Sequence, residues 1–430
     1  MGNFSRQVKK LIILAIHHLQ YMSEPKLVGR VFNIMVIVAA LGYFVDIYDL
    51  VLFNIVRVPS LKALGFVGED LITQGKFLMN MQMLGMVTGG ILWGILGDKK
   101  GRLSVLFFTI LIYSLANIAN AYVSTIGQYA FMRFIAGFGL AGELGVGITL
   151  VSEVMTTKNR GYGTTMVGAI GILGAVLGYI ITANFSWKMA YLMGGILGLL
   201  LLVLRIYVVE SGMFTKLKTE NVSRGNFFML FTNKKRFSKY IYCILLGIPV
   251  WYIIGYLIAY SDDFSDKVLH IQGTIIAGQA VMIHYIGASL GSLLWGMVGQ
   301  ALQSRKKSLW IAFTVLIAFT SAYFFSFGLS STIFYTIIFF LGIAQGYWII
   351  FVTVSSEQFG TNLRATVTTT VPNFVRGSLI GVNALITFLI PSCGKWSAAL
   401  YVGILCISLA VFSLYKLKET YGKELDYMES

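Results

Sequence analysis

Charge is what this sequence has least of. Asp, Glu, Lys and Arg make up 12% of its 430 residues, about half the share of an ordinary soluble domain, so a water-exposed globule is excluded. Cysteine is nearly absent: Cys243, Cys393 and Cys406 are odd in number and scattered, which excludes a disulfide framework and supplies no metal-ligand spacing. They are expected to be packing residues. Enzyme signatures are also missing, with no nucleophile and base pair, phosphate loop or zinc spacing, so an enzyme is not expected. Acids are scarcer than bases, 18 against 33, for a net charge of +15.

What fills the chain instead is apolar sequence, at 57% hydrophobic with a mean hydropathy of +0.77. Runs of about 20 apolar residues, the length a helix needs to cross the hydrocarbon, recur throughout. Twelve are expected, at 31–55, 75–96, 104–123, 129–152, 163–184, 188–208, 240–260, 274–299, 308–328, 332–354, 366–390 and 397–415. The fold class is therefore all-α membrane, with six spans on each side of a polar linker at 209–239. The expected division is an amphipathic segment 1–30, a six-helix bundle 31–208, the linker, a second bundle 240–416 and a tail 417–430. Residues 1–30 carry no small-residue cleavage site, so they are expected to be an interfacial helix and not a signal peptide.

The basic residues follow the spans. One set of connecting segments holds most of them, and the other set holds only Arg57, Lys62, Lys76, Lys188, Lys267 and Lys395. That asymmetry predicts cytoplasmic termini and a cytoplasmic linker, and it makes the positive charge a matter of topology, with no nucleic-acid partner. Short loops and compact length suggest a bacterial inner membrane, and a monomer is expected.

The chain also repeats itself. Trp93-Gly94-Ile95-Leu96-Gly97-Asp98 is echoed by Trp295-Gly296-Met297-Val298-Gly299-Gln300, roughly two hundred positions along, a period long enough to mean duplicated domains and not a solenoid. Ser152-Glu153 with Arg160 recurs as Ser356-Glu357 with Arg364. Asp98, Arg102, Glu153, Arg160, Glu357 and Arg364 are thus candidate gating residues: charge clusters that latch one conformation and break in the other.

Ionisable groups inside spans are functional-site candidates by default. Asp46 and Asp49 lie three residues apart in span 1, and Glu143 sits in the glycine-rich span 4 with Gly139 and Gly147 one turn to either side. Arg133 is a candidate partner for either aspartate. These four are expected to handle protons. In the second half Tyr252, Tyr256, Gln279, His284, Gln345, Tyr347, Trp348, Asn373 and Arg376 are candidate substrate contacts, with Arg376 near the midplane and suited to an anionic group. Overlaying the halves sets Asp46 on Pro249 or Val250 and Asp49 on Tyr252, so the acids have no counterparts. Proton handling in one half and solute contact in the other is the expected division.

These residues resemble the major facilitator superfamily. Gly94, Asp98, Gly101 and Arg102 match its Gly-x-x-x-Asp-x-x-Gly-Arg loop between helices 2 and 3, and Arg133, Gly137 and Gly139 match its helix 4 pattern. Glu153 and Arg160 match the acid and base that follow, as in sugar porters. Asp46-x-Tyr48-Asp49 and Gly142-Glu143 look like the branch of metabolite, phosphate, aromatic-acid and organic-ion porters. The resemblance implies alternating access about a midplane site and proton-coupled symport, driven by the proton gradient with no cofactor. The expected cargo is a small polar organic solute, amino acids and organic acids ahead of sugars. Siderophore or drug export is one alternative, which the lack of a helix 5 Pro-Gly-Gly signature disfavours. A divalent metal transporter using Asp46, Asp49 and His284 is another, and a non-transporting membrane receptor or scaffold a third.

Overall fold

A computed structural model describes residues 34–100, 102–143, 160–204, 227–423 and 427–429. Helices account for nearly all of it. We number the membrane-spanning ones α1 (Ile34–Ala63), α2 (Glu69–Lys100), α3 (Arg102–Asn120), α4 (Ile126–Leu140), α5 (Arg160–Ile172 and Gly174–Asn184), α6 (Trp187–Leu204), α7 (Lys234–Tyr252, passing into a π-helical turn Ile253–Ile258), α8 (Ala277–Ala301), α9 (Arg305–Phe324) and α10 (Ser331–Gln345 and Trp348–Glu357). A last helical run, Thr361–Lys416, changes direction at Gly394, whose φ of 78° only glycine adopts without strain. It supplies α11 (361–393) and α12 (395–416). The twelve expected spans are thus all represented.

Several helices run past the expected span ends, as α1 does to Ala63, and two differences concern helices of the site. α7 begins at Lys234, inside the stretch expected as linker, because the Asn233 side chain accepts from the N–H groups of Lys235 and Arg236 and caps the helix. Its basic first turns can extend beyond the hydrocarbon, which a hydropathy window does not register. The other is span 4: it is helical to Leu140, turns at Ala141 and Gly142, and its continuation from 144 lies outside the described residues, as do 1–33 and 205–226.

The duplication seen in the sequence is repeated atom for atom. Trp93 Nε1 donates to the Phe138 carbonyl at 2.7 Å, and Trp295 Nε1 to the Ile343 carbonyl at 2.7 Å. Tyr48 OH donates to Ala190 O and Tyr252 OH to Ala399 O, both at 2.7 Å. These pairs align Tyr48 with Tyr252 and therefore Asp49 with Ile253, correcting the overlay by one position. Glycine permits the contacts beneath them: a Cβ on Gly85 would overlap the Phe134 carbonyl, and one on Gly287 the Phe339 carbonyl. Such close helix approach is the usual way membrane helices gain dispersion energy where lipid removes the hydrophobic drive.

The two halves meet along α2 with α11 and α5 with α8. On the first seam Lys76 reaches Thr387 Oγ1 at 3.3 Å, Asn383 donates to Asn80 Oδ1 at 3.2 Å, and Gly90 and Gly94 lie against Asn373 and Thr366. On the second, Ser289 Oγ donates to Ala169 O at 2.7 Å, and Gly296 lies against Thr165. The seams leave a chamber between the halves. We call the end of the bundle where α7 starts and α12 finishes the linker end, and the opposite one the far end. Large apolar side chains such as Phe108, Leu200, Phe388 and Tyr401 are exposed on the perimeter, as a lipid-facing belt requires.

Candidate functional site

The chamber holds a cavity walled by α1, α5, α7, α8, α10 and α11. A helix break lies beside it, between Gln345 and Trp348 of its wall. α10 is interrupted at Gly346, which packs directly on the α8 backbone at Gly291 and Ser292, and α4 turns at the matching Ala141 and Gly142. Irregular backbone at membrane depth is stable where it is buried in protein or lines a cavity, as here.

Arg376 gives the cavity its charge. It is 1% exposed, with Nη2 4.0 Å from Asp46 Oδ2 across the interface between the halves. Its Nη1 donates to Asn373 Oδ1 at 3.0 Å, and the guanidinium lies 5.9 Å from the Trp348 ring centre. Asn373 is itself tied across the interface, donating to Ala141 O at 2.7 Å. Trp348 Nε1 donates to Tyr43 OH at 3.1 Å. The resulting unit is one cation, one carboxylate and a set of aromatic faces, drawn from both halves. Gln345, which donates to Val250 O at 2.5 Å, and His284 complete the polar part of the wall. Tyr43, Trp251 and Tyr285 also line it. No local signal in the sequence separates them from the other tyrosines and tryptophans.

Several expected contacts lie elsewhere. Tyr252 turns its hydroxyl to Ala399, and Tyr347 packs its ring 4.9 Å from Phe313 with its hydroxyl toward Leu246 O; both belong to the interior of the second half. Gln279 accepts from Tyr335 OH at 3.3 Å near the start of α8. Tyr256 lies under Lys76 and beside Tyr260, toward the far end.

Asp49 parts company with Asp46. It is fully buried against Gly194 of α6, where a Cβ would overlap Oδ1. Arg133 is within its electrostatic reach. Arg133 donates to Asn117 Oδ1 at 2.8 Å and stacks 4.8 Å from the centre of Tyr191. Tyr191 and Tyr129 share a hydroxyl contact of 2.7 Å, and Tyr129 OH donates to Ser60 Oγ at 3.2 Å. Asp49 and Arg133 thus form a polar core inside the first half, behind the cavity. Glu143 is 1% exposed and follows the break in α4.

At the linker end Glu357 pairs with Arg305 at 3.5 Å, and Arg364, fully buried, donates to Phe359 O at 3.4 Å. Glu153 lies outside the described residues, as do the side chains of Asp98, Arg102 and Arg160. Where the second copy has Gln300 in place of the acid, the tail supplies one: Glu419 accepts from Ser304 Oγ and from the N–H groups of Arg305 at 3.0 Å and Lys306 at 3.2 Å. Burial alone would raise its carboxyl, but the bonds from Ser304 and from the Tyr421, Thr420 and Lys306 N–H groups outweigh it and hold Glu419 below the usual range.

The far end carries a charged closure that the sequence reading used only for topology. Arg57, 2% exposed, donates to Ala259 O at 3.1 Å, pairs with Asp262 at 3.2 Å and stacks 4.3 Å over Tyr260. Asp263 pairs with Lys395 and, at 3.0 Å, with Lys267. The available signal was an Arg at the end of one apolar run and an Asp262-Asp263 pair after another.

With this geometry in view, the comparisons are direct. A family model for the Major Facilitator Superfamily matches residues 32–382. The chain belongs to this superfamily. A Bacillus subtilis protein provisionally assigned as the niacin/nicotinamide transporter NiaP is 26% identical over 421 residues, covering 95% of this chain and 99% of the relative. The benzoate transport protein of Acinetobacter baylyi is 28% identical over 186 residues, covering 41% of this chain and 39% of the relative. Among solved structures, the superfamily's proton:xylose symporter XylE superposes with a TM-score of 0.70 at 16% identity, over 91% of this chain and 97% of that one, a likeness of fold alone. As a superfamily member the chain is an integral membrane transporter of small solutes and not an enzyme.

Proposed function

We propose that this transporter carries a small ring-bearing carboxylic acid together with a proton, by alternating access. The observation that carries the reading is the Arg376–Asp46 pair, one cation and one carboxylate from opposite halves, with Arg376 lining a cavity whose wall also holds Tyr43, Trp251, Tyr285 and Trp348. The aromatic side chains of the cavity wall offer flat apolar faces to a ring. Protonation of Asp46 removes the counter-charge of Arg376 and leaves the guanidinium for the solute carboxylate, so cargo and proton bind as one neutral set. That set has less desolvation penalty than either charge alone, and the halves can then rock about it. The niacin and benzoate relatives support a ring acid as cargo. The segregation of Lys and Arg supports a cytoplasmic linker end, and short loops a bacterial inner membrane.

The test is uptake of labelled benzoate and nicotinate into proteoliposomes with an imposed pH gradient, against benzamide and xylose. Gradient-driven uptake of the acids alone is expected. Arg376→Gln should lower it at least tenfold, the equivalent of about 1.4 kcal/mol. Asp46→Asn should abolish the response to the gradient while exchange of internal for external solute persists. Uptake of benzamide equal to that of benzoate would overturn the reading.

A further inference from the structure

A second, larger recess opens at the linker end, well away from the transport cavity. It lies between the start of α7, the end of α12 and the tail. Its walls are strongly basic. Lys234, Lys235, Arg236 and Lys239 project from the first two turns of α7, and Lys416, Lys418 and Lys423 from α12 and the tail. Among the described residues the one carboxylate in its wall is Glu429, which bonds Lys239 Nζ at 2.7 Å and lies 4.0 Å from Arg236 Nε. Unlike a solvated run of charges, these cations come from segments far apart in sequence and converge on one concave space.

Apolar surface adjoins the recess. Tyr242, in its wall, packs edge-on against Phe412 at 6.0 Å; Phe412 and Tyr415 are 49% and 70% exposed on α12, and Lys416 lies over both rings. A basic recess that continues onto exposed aromatics at the end of a membrane helix meets two parts of one ligand: an anionic headgroup in the recess and acyl chains along the helices. A soluble anion would use only the first part.

We propose that this recess binds the phosphodiester headgroup of an anionic phospholipid, in competition with the Glu429 carboxylate. The tail is positioned to report occupancy. Its residue Tyr427 bonds Gln358 O at 3.0 Å and its carbonyl accepts from Thr361 N at 2.8 Å, while the Glu429 backbone exchanges two hydrogen bonds with Asn362. Displacing the Glu429 carboxylate therefore acts on the tail where its backbone joins the connection between α10 and α11, which runs from Glu357 to Arg364.

Native mass spectrometry of the detergent-purified full chain tests this with phosphatidylglycerol, phosphatidylcholine and glycerol phosphate as probes. Phosphatidylglycerol should be retained as a single adduct at least tenfold more tightly than phosphatidylcholine. The triple variant Lys235→Ala, Lys239→Ala, Lys418→Ala should lose that preference, with a monodisperse size-exclusion profile as the check on folding. Glu429→Gln removes the competitor and should raise phosphatidylglycerol retention two- to threefold, a gain that misfolding does not produce. Equal retention of the two lipids, or no change in either variant, overturns the site. Glycerol phosphate displacing phosphatidylglycerol at equal concentration overturns the lipid assignment in favour of a soluble phosphate ester.

Discussion

The Arg376–Asp46 pair gives the sharpest measurable consequence. At 4.0 Å and an effective dielectric constant of about 20, two unit charges attract by about 4 kcal/mol. Both side chains are 1% exposed or less, so removing either takes a counter-ion away from a buried charge, a loss of about 3–5 kcal/mol. Without Asp46, Arg376 keeps the Asn373 bond and the Trp348 ring. Asp46→Asn and Arg376→Gln should each destabilise the detergent-purified protein. The double variant removes both charges and should fall short of the summed losses by about 2–3 kcal/mol, the size expected of directly interacting residues. Denaturant unfolding followed by tryptophan fluorescence at pH 8 measures all four corners of the cycle. Additivity to within about 0.5 kcal/mol would show that the charges do not interact, and the exchange of Asp46 for a solute carboxylate would fall with it.

Three further outcomes follow from the duplication and the linker end. Trp93→Phe and Trp295→Phe each delete one 2.7 Å bond to a buried carbonyl and should destabilise by about 1 kcal/mol apiece; a several-fold difference between the two in an unfolding titration would contradict their equivalence. Gly287→Ala forces a methyl into the Phe339 carbonyl and should sharply reduce the monodisperse peak in size exclusion, whereas Gly127→Ala, with open space around it, should match the parent. Glu419 has a depressed folded-state carboxyl, so its contribution is present above the ordinary glutamate value of about 4.5 and lost as pH falls through the lower folded value. Glu419→Gln should lower the melting temperature at pH 7, by the loss of a helix cap worth about 1 kcal/mol, and the gap should close as the pH drops below 4.5; a gap that is constant with pH would be inconsistent with this.

The sequence by itself determined the twelve crossings and the duplication. Apolar runs of about 20 residues cross a bilayer as helices, and two copies of one unit reuse the same close contacts, so Trp93 and Trp295 are legible as equivalents from the sequence. It also marked Asp46, Asp49, Arg133 and Arg376 as buried ions, because charge within an apolar run is costly wherever it points. Direction was the part it left open. Asp46 and Asp49 are one helical turn apart, yet the first faces Arg376 of the other half and the second faces Gly194 and Arg133 within its own, since a turn of three residues falls short of a full rotation and neighbouring helices fill the difference. Tyr252 followed its repeat partner Tyr48 into the bundle, and Tyr43 and Tyr285 took the cavity instead. Arg57 with Asp262, and the tail carboxylates over α9 and α7, join residues that no periodicity links; only the packing of twelve helices brings them within bonding distance.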